Sequence, residues 1–297
     1  MQKDYENTMP YNDGWRAKSG SLGFKMSNDY LFRALLQKDE ESLKNLVSAF
    51  IGIAPEEIED VTVTNPIVLG DSLVDIEIHL DVHVIIDNSR SMDLEMQTAR
   101  HVGYVERSLL YLCRSFDSLH HGDDYQDTPG IWQISFCDFC LFPDRPEFYA
   151  NYMMINVRDP KSLYSEKLRI SNVDLTHIDL ATEADVHAGL VDWARMFKAQ
   201  TWEELKMLAQ ENKHIEQAVS SAWQLSEDER IREQMRRRDE DKRYWNSVLR
   251  RLEKAEQRAE ETEQRAIEAE KQLIEKDEQL EEMSRTIEAL KAQLDNK

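Results

Sequence analysis

The chain has 297 residues, 41% of them hydrophobic, and a formal net charge of −21. That length supports one good core and an appendage, since single cores stop growing at about 250 to 300 residues, and so large an acidic excess excludes a protein held on a polyanion by bulk electrostatics. Three cysteines, Cys113, Cys137 and Cys140, exclude a disulfide framework; with no apolar leader segment and no run of 18 apolar residues, the expectation is a cytoplasmic chain with no membrane partner.

Residues 1–20 are polar and aperiodic and read as a flexible leader. From Asn28, Tyr30, Leu31, Leu35, Leu43, Leu46, Val47 and Phe50 recur at helical spacing as far as Gly52, with a break placed at Asp39. Short apolar runs at Val61 to Val63, Ile67 to Leu69, Val74 to Val84 and Met92 to Met96 predict a β-meander. Thr98 to His121 reads as a long amphipathic helix whose apolar stripe is Val102, Val105, Leu109, Leu112, Phe116 and Leu119, with Gly122 as its cap. Ile131 to Phe142 is nearly all apolar and aromatic, as expected of a central strand buried on both faces. The order is α, β, β, β, α, β.

Beyond Thr182 the pattern is helical. Thr201 with Glu204, and Ser226 with Glu229, match the capping box and predict two helix starts. From Trp245 to Leu294, apolar or small residues fill most a and d positions of roughly seven heptads, which predicts a coiled coil and a homo-oligomer through residues 245–297. A solvated single helix competes, because Ala, Thr and Lys weaken the middle of the seam. The expected division is a leader over 1–20, an α/β domain over 21–182, a helical segment over 183–244 and the coiled coil over 245–297.

The chemistry concentrates in Leu80 to Thr98, "LDVHVIIDNSRSMDLEMQT". Two strands, Asp81 to Asp87 and Ser91 to Thr98, with Asp81 opposite Gln97, put Val82, Val84, Ile86, Met92, Leu94 and Met96 on one face. The other face carries Asp81, His83, Ile85, Asp93, Glu95 and Gln97. A solvated sheet face is the plain reading of that pattern. The functional one is that Asp81 and Glu95, diagonal neighbours, repel unless a cation intervenes, and hard oxygen ligands suit Mg²⁺ or Mn²⁺.

"NDYLFRALL", "NPIVLGDS" leading into "LDVHVII", "LEMQ", "ERSLLYLCRSFDSLHHGDDY" and the aromatic strand ending in "LF" together resemble the PD-(D/E)XK nuclease family transposases, or recombination-promoting nucleases, over about Lys25 to Ala181. The resemblance implies a restriction-endonuclease-like core, a mixed sheet flanked by helices. It implies a DNA endonuclease without strong sequence specificity, using Mg²⁺ (or Mn²⁺ or Ca²⁺) held by Asp81 and Glu95 with a backbone carbonyl near Met96. Gln97 falls where most of the superfamily has lysine and would orient the attacking water. Arg107 and Tyr111, in a stripe with Arg100, Tyr104 and Arg114, fall near the cleft; Arg107 either clamps a phosphate or pairs with Glu106 or Asp123. Asp29 matches an acidic family position or serves as a helix cap. The rival reading is a catalytically inactive nuclease-fold interaction protein with an oligomerising tail, and ribonuclease activity is a third.

Other constellations are weaker. The Cys137 to Cys140 "CDFC" would put two sulfurs on opposite faces of a strand, which is no zinc pair. His120 and His121 close a helix. Arg236 to Arg238, with Lys242 and Arg243, read as a mixed solvated face.

Overall fold

The computed structural model describes residues 13–66, 82–87, 90–100, 103–116 and 124–295. Among them α1 (Asp29–Lys38) starts where the Asn28 side chain accepts from the Tyr30 and Leu31 N–H groups, so Asn28, and not Asp29, is the cap. Asp39 ends α1 and caps α2 (Glu40–Ile51) by accepting from Ser42 N–H, which explains the break there. Gly52, at φ 72°, closes α2 in the left-handed conformation that glycine adopts without penalty.

A six-stranded mixed sheet follows, in the order β1-β2-β3-β4-β6-β5. Its members are β1 (Val61–Val63), β2 (Val82–Ile86), β3 (Arg90–Gln97), β4 (Gly130–Cys137), β5 (Tyr149–Asn156) and β6 (Asp159–Asp174). β4 runs parallel to both β3 and β6, and the other pairs are antiparallel. The helix α3 (Tyr104–Phe116) makes the crossover that parallel β3 and β4 require. This is a mixed sheet with flanking helices, consistent with the restriction-endonuclease-like α/β fold.

Several expectations need correction. β2 pairs with β3 as Val82↔Leu94 and His83↔Asp93, two residues from the expected register. The side-chain period is two, so the slip leaves each residue on its assigned face. Helix α3 starts at Tyr104 and not at Thr98, because Gly103 at φ 73° interrupts the helical path. β4 stops at Cys137, where Asp138 N–H bonds to Gln97 and the chain turns away, so Cys140 is not on a strand. Ser226 does not start a helix: it lies in α7 (Lys213–Glu227) with its hydroxyl donating back to Trp223, and the Asp228 carboxylate accepts the first N–H groups of α8 (Glu229–Asp295). The Thr201 capping box does start α6 (Trp202–Glu211). The predicted strand residues 67–81, the turn residues Asn88 and Ser89, the helix end at 117–122 with His120 and His121, and the leader up to residue 12 lie outside the described residues. Within the expected leader Trp15 is fully buried, and Ser21, the residue just after the leader, bridges to Thr201.

One face of the sheet forms the core. Val82, Val84, Ile86, Met92, Leu94 and Met96 are all at most 4% exposed and pack toward α1, not the long helix. Phe136 of β4 sits 5.9 Å from Phe32, 5.9 Å from Phe50 and 5.1 Å from Phe197 between ring centroids, joining α1, α2 and α5 (Leu190–Lys198) over the sheet. Trp193, Val219 and Leu225 extend the same cluster through α5 and α7. The short α4 (Glu183–His187) leads into it with a Thr182 capping box. A 3-10 turn at Asp13–Ala17 carries Trp15 into that cluster.

The chain divides into two compact units, 1–241 and 242–297. In the second the helix continues unbroken to Asp295, and the predicted seam residues Leu252, Leu273, Leu280 and Met283 are each more than half exposed on it. No helix among the described residues is long and apolar enough to cross a membrane.

Candidate active site

The second face of the sheet carries the polar rows. Registration sets His83 beside Asp93 and Asp93 beside Gln133; next come Glu95, Ser135 and Asn172; then Gln97, Cys137 and Asp174. Paired residues share a face, so four strands, β2, β3, β4 and β6, contribute to one polar surface of the sheet.

Helix α3 lies over this surface and turns toward it a different stripe from the expected one. Tyr104, Ser108 and Leu112 are its buried residues, while Leu109 and Leu110 are 47% and 50% exposed. Of the predicted apolar stripe Leu112 is buried and Val105 and Phe116 are half-buried, whereas Leu109 faces out, so the packing face is rotated from the expected one toward Tyr104 and Ser108. Arg107 Nη2 reaches Glu95 Oε1 at 3.3 Å, and Ser115 Oγ donates to Asp93 at 3.1 Å. The Arg107 guanidinium carbon also stands 5.5 Å from the Tyr104 ring centre and 5.9 Å from that of Tyr111, within cation–π range of both. Arg107 thus has an ion-pair partner, Glu95, that neither reading of the sequence named.

Glu95 is held from two sides, since its other oxygen accepts from Ser135 at 3.4 Å. Gln97 is 8% exposed, and its amide donates to the Ala99 carbonyl at 2.9 Å, which orients the carboxamide. Met96 sends its thioether into the apolar core, so its backbone carbonyl is all it can offer this face. Asp81 lies outside the described residues.

Asn65, His83, Asp93, Glu95, Tyr111, Arg114, Ser115 and Gln133 line an open cleft. His83 Nδ1 contacts Asp93 Oδ1 at 2.5 Å, and that hydrogen bond raises the imidazole above its usual 6.5 against the opposing effect of burial. Gln133, only 4% exposed, has a buried side-chain oxygen with no hydrogen-bond partner. An orphaned acceptor beside two carboxylates is the donor set that a hydrated hard dication satisfies, so the described residues fit such an ion. At the far end of the face, burial pushes the Cys137 thiol up to about 12 and the neighbouring Tyr104 hydroxyl well above its ordinary value, which rules both out as ionised nucleophiles near neutral pH.

Gln133 and Ser135 were not among the candidates, although they are the alternate polar residues of the otherwise apolar "IWQISFC". Asn65, whose side chain accepts from His83 N–H at 3.0 Å, carried no signal, because its strand context depends on β2. Asp29 pairs with Arg238 at 3.1 Å, and Arg236 and Arg237 pair with Glu233, so the arginine run is an ion-paired surface.

A family model described as PD-(D/E)XK nuclease family transposase covers residues 26–251, through the sheet, α3 and the helices up to the first part of α8. No curated protein and no solved structure matches the chain. The match takes in well over half of the 297 residues and every element that builds the cleft, and the chain belongs to the PD-(D/E)XK nuclease family transposases.

Proposed function

We propose that this protein is a divalent-metal-dependent DNA endonuclease in which Asp81, Glu95 and the Met96 backbone carbonyl hold Mg²⁺. The observation that carries the reading is Glu95 beside Arg107 and the orphaned Gln133 oxygen in one open cleft, in a chain of nuclease family. Asp81 enters as the sequence neighbour of Val82, whose partner Leu94 is the neighbour of Glu95.

The bound dication would offset charge on the scissile phosphate and acidify a water. The chain's own groups do the positioning. Arg107, steadied by Tyr104 and Tyr111, offers two parallel N–H donors to a non-bridging phosphate oxygen. Gln97 orients the water that attacks phosphorus, a P–O ester bond breaks, and the departing oxygen takes a proton. A neutral Gln97 adds no positive charge to the transition state, so Arg107 carries more of that role than it would beside a lysine. Residues 245–297, which form a helical unit apart, would associate copies of the chain and pair active sites on two strands.

A net charge of −21 favours the alternative, an interaction protein that keeps the fold and has lost cleavage. Incubating the purified full chain with plasmid or RNA and Mg²⁺, Mn²⁺ or Ca²⁺ decides. The expected result is plasmid cutting with Mg²⁺ or Mn²⁺ that Glu95→Ala abolishes. Equal cutting by Glu95→Ala overturns the metal assignment, no cutting with any ion supports the interaction protein, and cutting of RNA alone moves the substrate class.

A further inference from the structure

The C-terminal ends of parallel β4 and β6 bring together a second set of ligating groups, chemically unlike the first. Cys140 lies in the turn after β4, Asp174 ends β6, and His177 precedes the 3-10 turn Ile178–Leu180. The Cys140 sulfur, an Asp174 oxygen and a ring nitrogen of His177 all lie within 4.8 Å of one another. Asp174 is 6% exposed and fixed by one oxygen: Oδ1 accepts the Thr176 N–H at 2.7 Å and the Thr176 hydroxyl at 2.5 Å. Its other oxygen, Oδ2, faces His177 Nδ1 at 2.9 Å. Burial and the nearby Asp174 raise the Cys140 thiol, while the Phe142 backbone N–H acts the other way. Asn172, on the same face of β6, lines the pocket that Cys140 and Asp174 share, and its Oδ1 is buried without a hydrogen-bond partner.

We propose that Cys140, Asp174 and His177 bind one zinc ion, with a water in the fourth position whose hydrogen bond Asn172 accepts. Sulfur, imidazole and carboxylate together suit Zn²⁺, whereas Mg²⁺ avoids thiolate and imidazole. Ligand atoms about 2.0 to 2.3 Å from a tetrahedral ion stand roughly 3.5 Å apart, so the 2.9 Å contact between Asp174 and His177 opens by about half an ångström and the sulfur, within 4.8 Å of both, closes by up to about an ångström. Cys140, in a turn, can supply that movement. Binding exchanges the thiol proton for the metal, S–H giving S–Zn with one proton released to solvent, so affinity rises with pH. The ion would tie the turn after β4 to the end of β6, beside the row that holds Gln97. It is independent of the proposed nuclease reading, which rests on oxygen ligands.

The test uses the full chain, stripped with a chelator and titrated with Zn²⁺ or Co²⁺ alone. The expected result is one equivalent of Zn²⁺, a thiolate-to-cobalt charge-transfer band with Co²⁺, and protection of Cys140 from iodoacetamide as mapped by mass spectrometry. Affinity should fall at least about tenfold in Cys140→Ser and His177→Ala and stay unchanged in Cys113→Ser and Glu95→Ala. Absence of the cobalt band in the wild type, or its survival in Cys140→Ser, overturns the site. Should a variant misfold by circular dichroism, zinc protection of Cys140 in the wild type decides alone: unchanged alkylation rejects the proposal.

Discussion

Arg107 donates to Glu95 across 3.3 Å while lying over the rings of Tyr104 and Tyr111. Two aromatic rings and one carboxylate hold this guanidinium in place. A cation already beside the central acid of the cleft has two consequences: it relieves Glu95 of repulsion in the metal-free protein, and it stands ready for a phosphate.

Arg107→Ala should therefore lower plasmid cleavage by about 100-fold while costing no more than about 1 kcal/mol of stability, since the pair is partly solvated. Arg107→Lys, which keeps the charge and loses the fork, should fall between. Single-turnover rates and thermal melts read the two effects separately, and an alanine variant that cuts at the wild-type rate removes Arg107 from the mechanism.

Gln133 offers a sharper separation of stability from function. Its buried oxygen lacks a partner, so Gln133→Leu should stabilise the metal-free fold by about 1 kcal/mol. The same change should raise the Mg²⁺ concentration needed for half-maximal cleavage. Denaturant midpoints and metal titrations measure these; a destabilised variant with unchanged metal dependence would sink the assignment of that oxygen to the ion or its water.

The His83–Asp93 contact predicts a pH dependence with a definite sign. His83 titrates above 6.5 in the folded protein, mainly through its hydrogen bond to Asp93. Protonated His83 therefore favours folding: the contribution is complete below about pH 6.5 and is lost as pH climbs through the raised value. Asp93→Asn should bring the imidazole pKa down and flatten stability against pH across that window. Imidazole NMR shifts and urea midpoints from pH 5.5 to 8.5 report both; an unmoved His83 titration in Asp93→Asn contradicts the assigned cause.

Truncation after Arg251 tests the tail. Leu273 and Leu280 are 62% and 59% exposed on a single helix, and burying each against a partner is worth roughly 1.5 to 3 kcal/mol. Sedimentation equilibrium should show the full chain as an oligomer and the truncated chain as a smaller species, with remaining cleavage shifted from linear to nicked plasmid. A monomeric full chain at micromolar concentration ends the coiled-coil reading.

How much was legible depended on which physical signal each element carries. The two hairpin faces were readable because alternation survives any two-residue slip, and the register was unreadable for the same reason. Helix α3 was half legible: Leu112 of the expected stripe is buried, but Leu109 of the same stripe faces outward, and the inward face also carries Tyr104, Arg107 and Ser115 to the polar rows. The β5–β6 hairpin went unassigned: its outer part has no buried face, so Val157 and Tyr164, 90% and 82% exposed, give no alternation to detect. Glu95, Gln97 and Arg107 are singled out because the family resemblance marks them, and the structure puts Glu95 and Gln97 on the polar face with Arg107 against Glu95. Ser135 and Gln133 join the polar face only through strand pairing, which is a property of the sheet and not of any one segment.

β4 is covered on both faces and hydrogen-bonded along both edges. Its amides have no local route to solvent, so exchange at Gln133 through Phe136 should proceed only through opening of the whole molecule, many orders of magnitude more slowly than at the Asn156–Asp159 hairpin end. The cleft is therefore backed by a strand that is buried and paired along both edges. A bent or melted duplex reaching it would have to supply the deformation itself, because β4, paired alongside Glu95, is expected to stay closed.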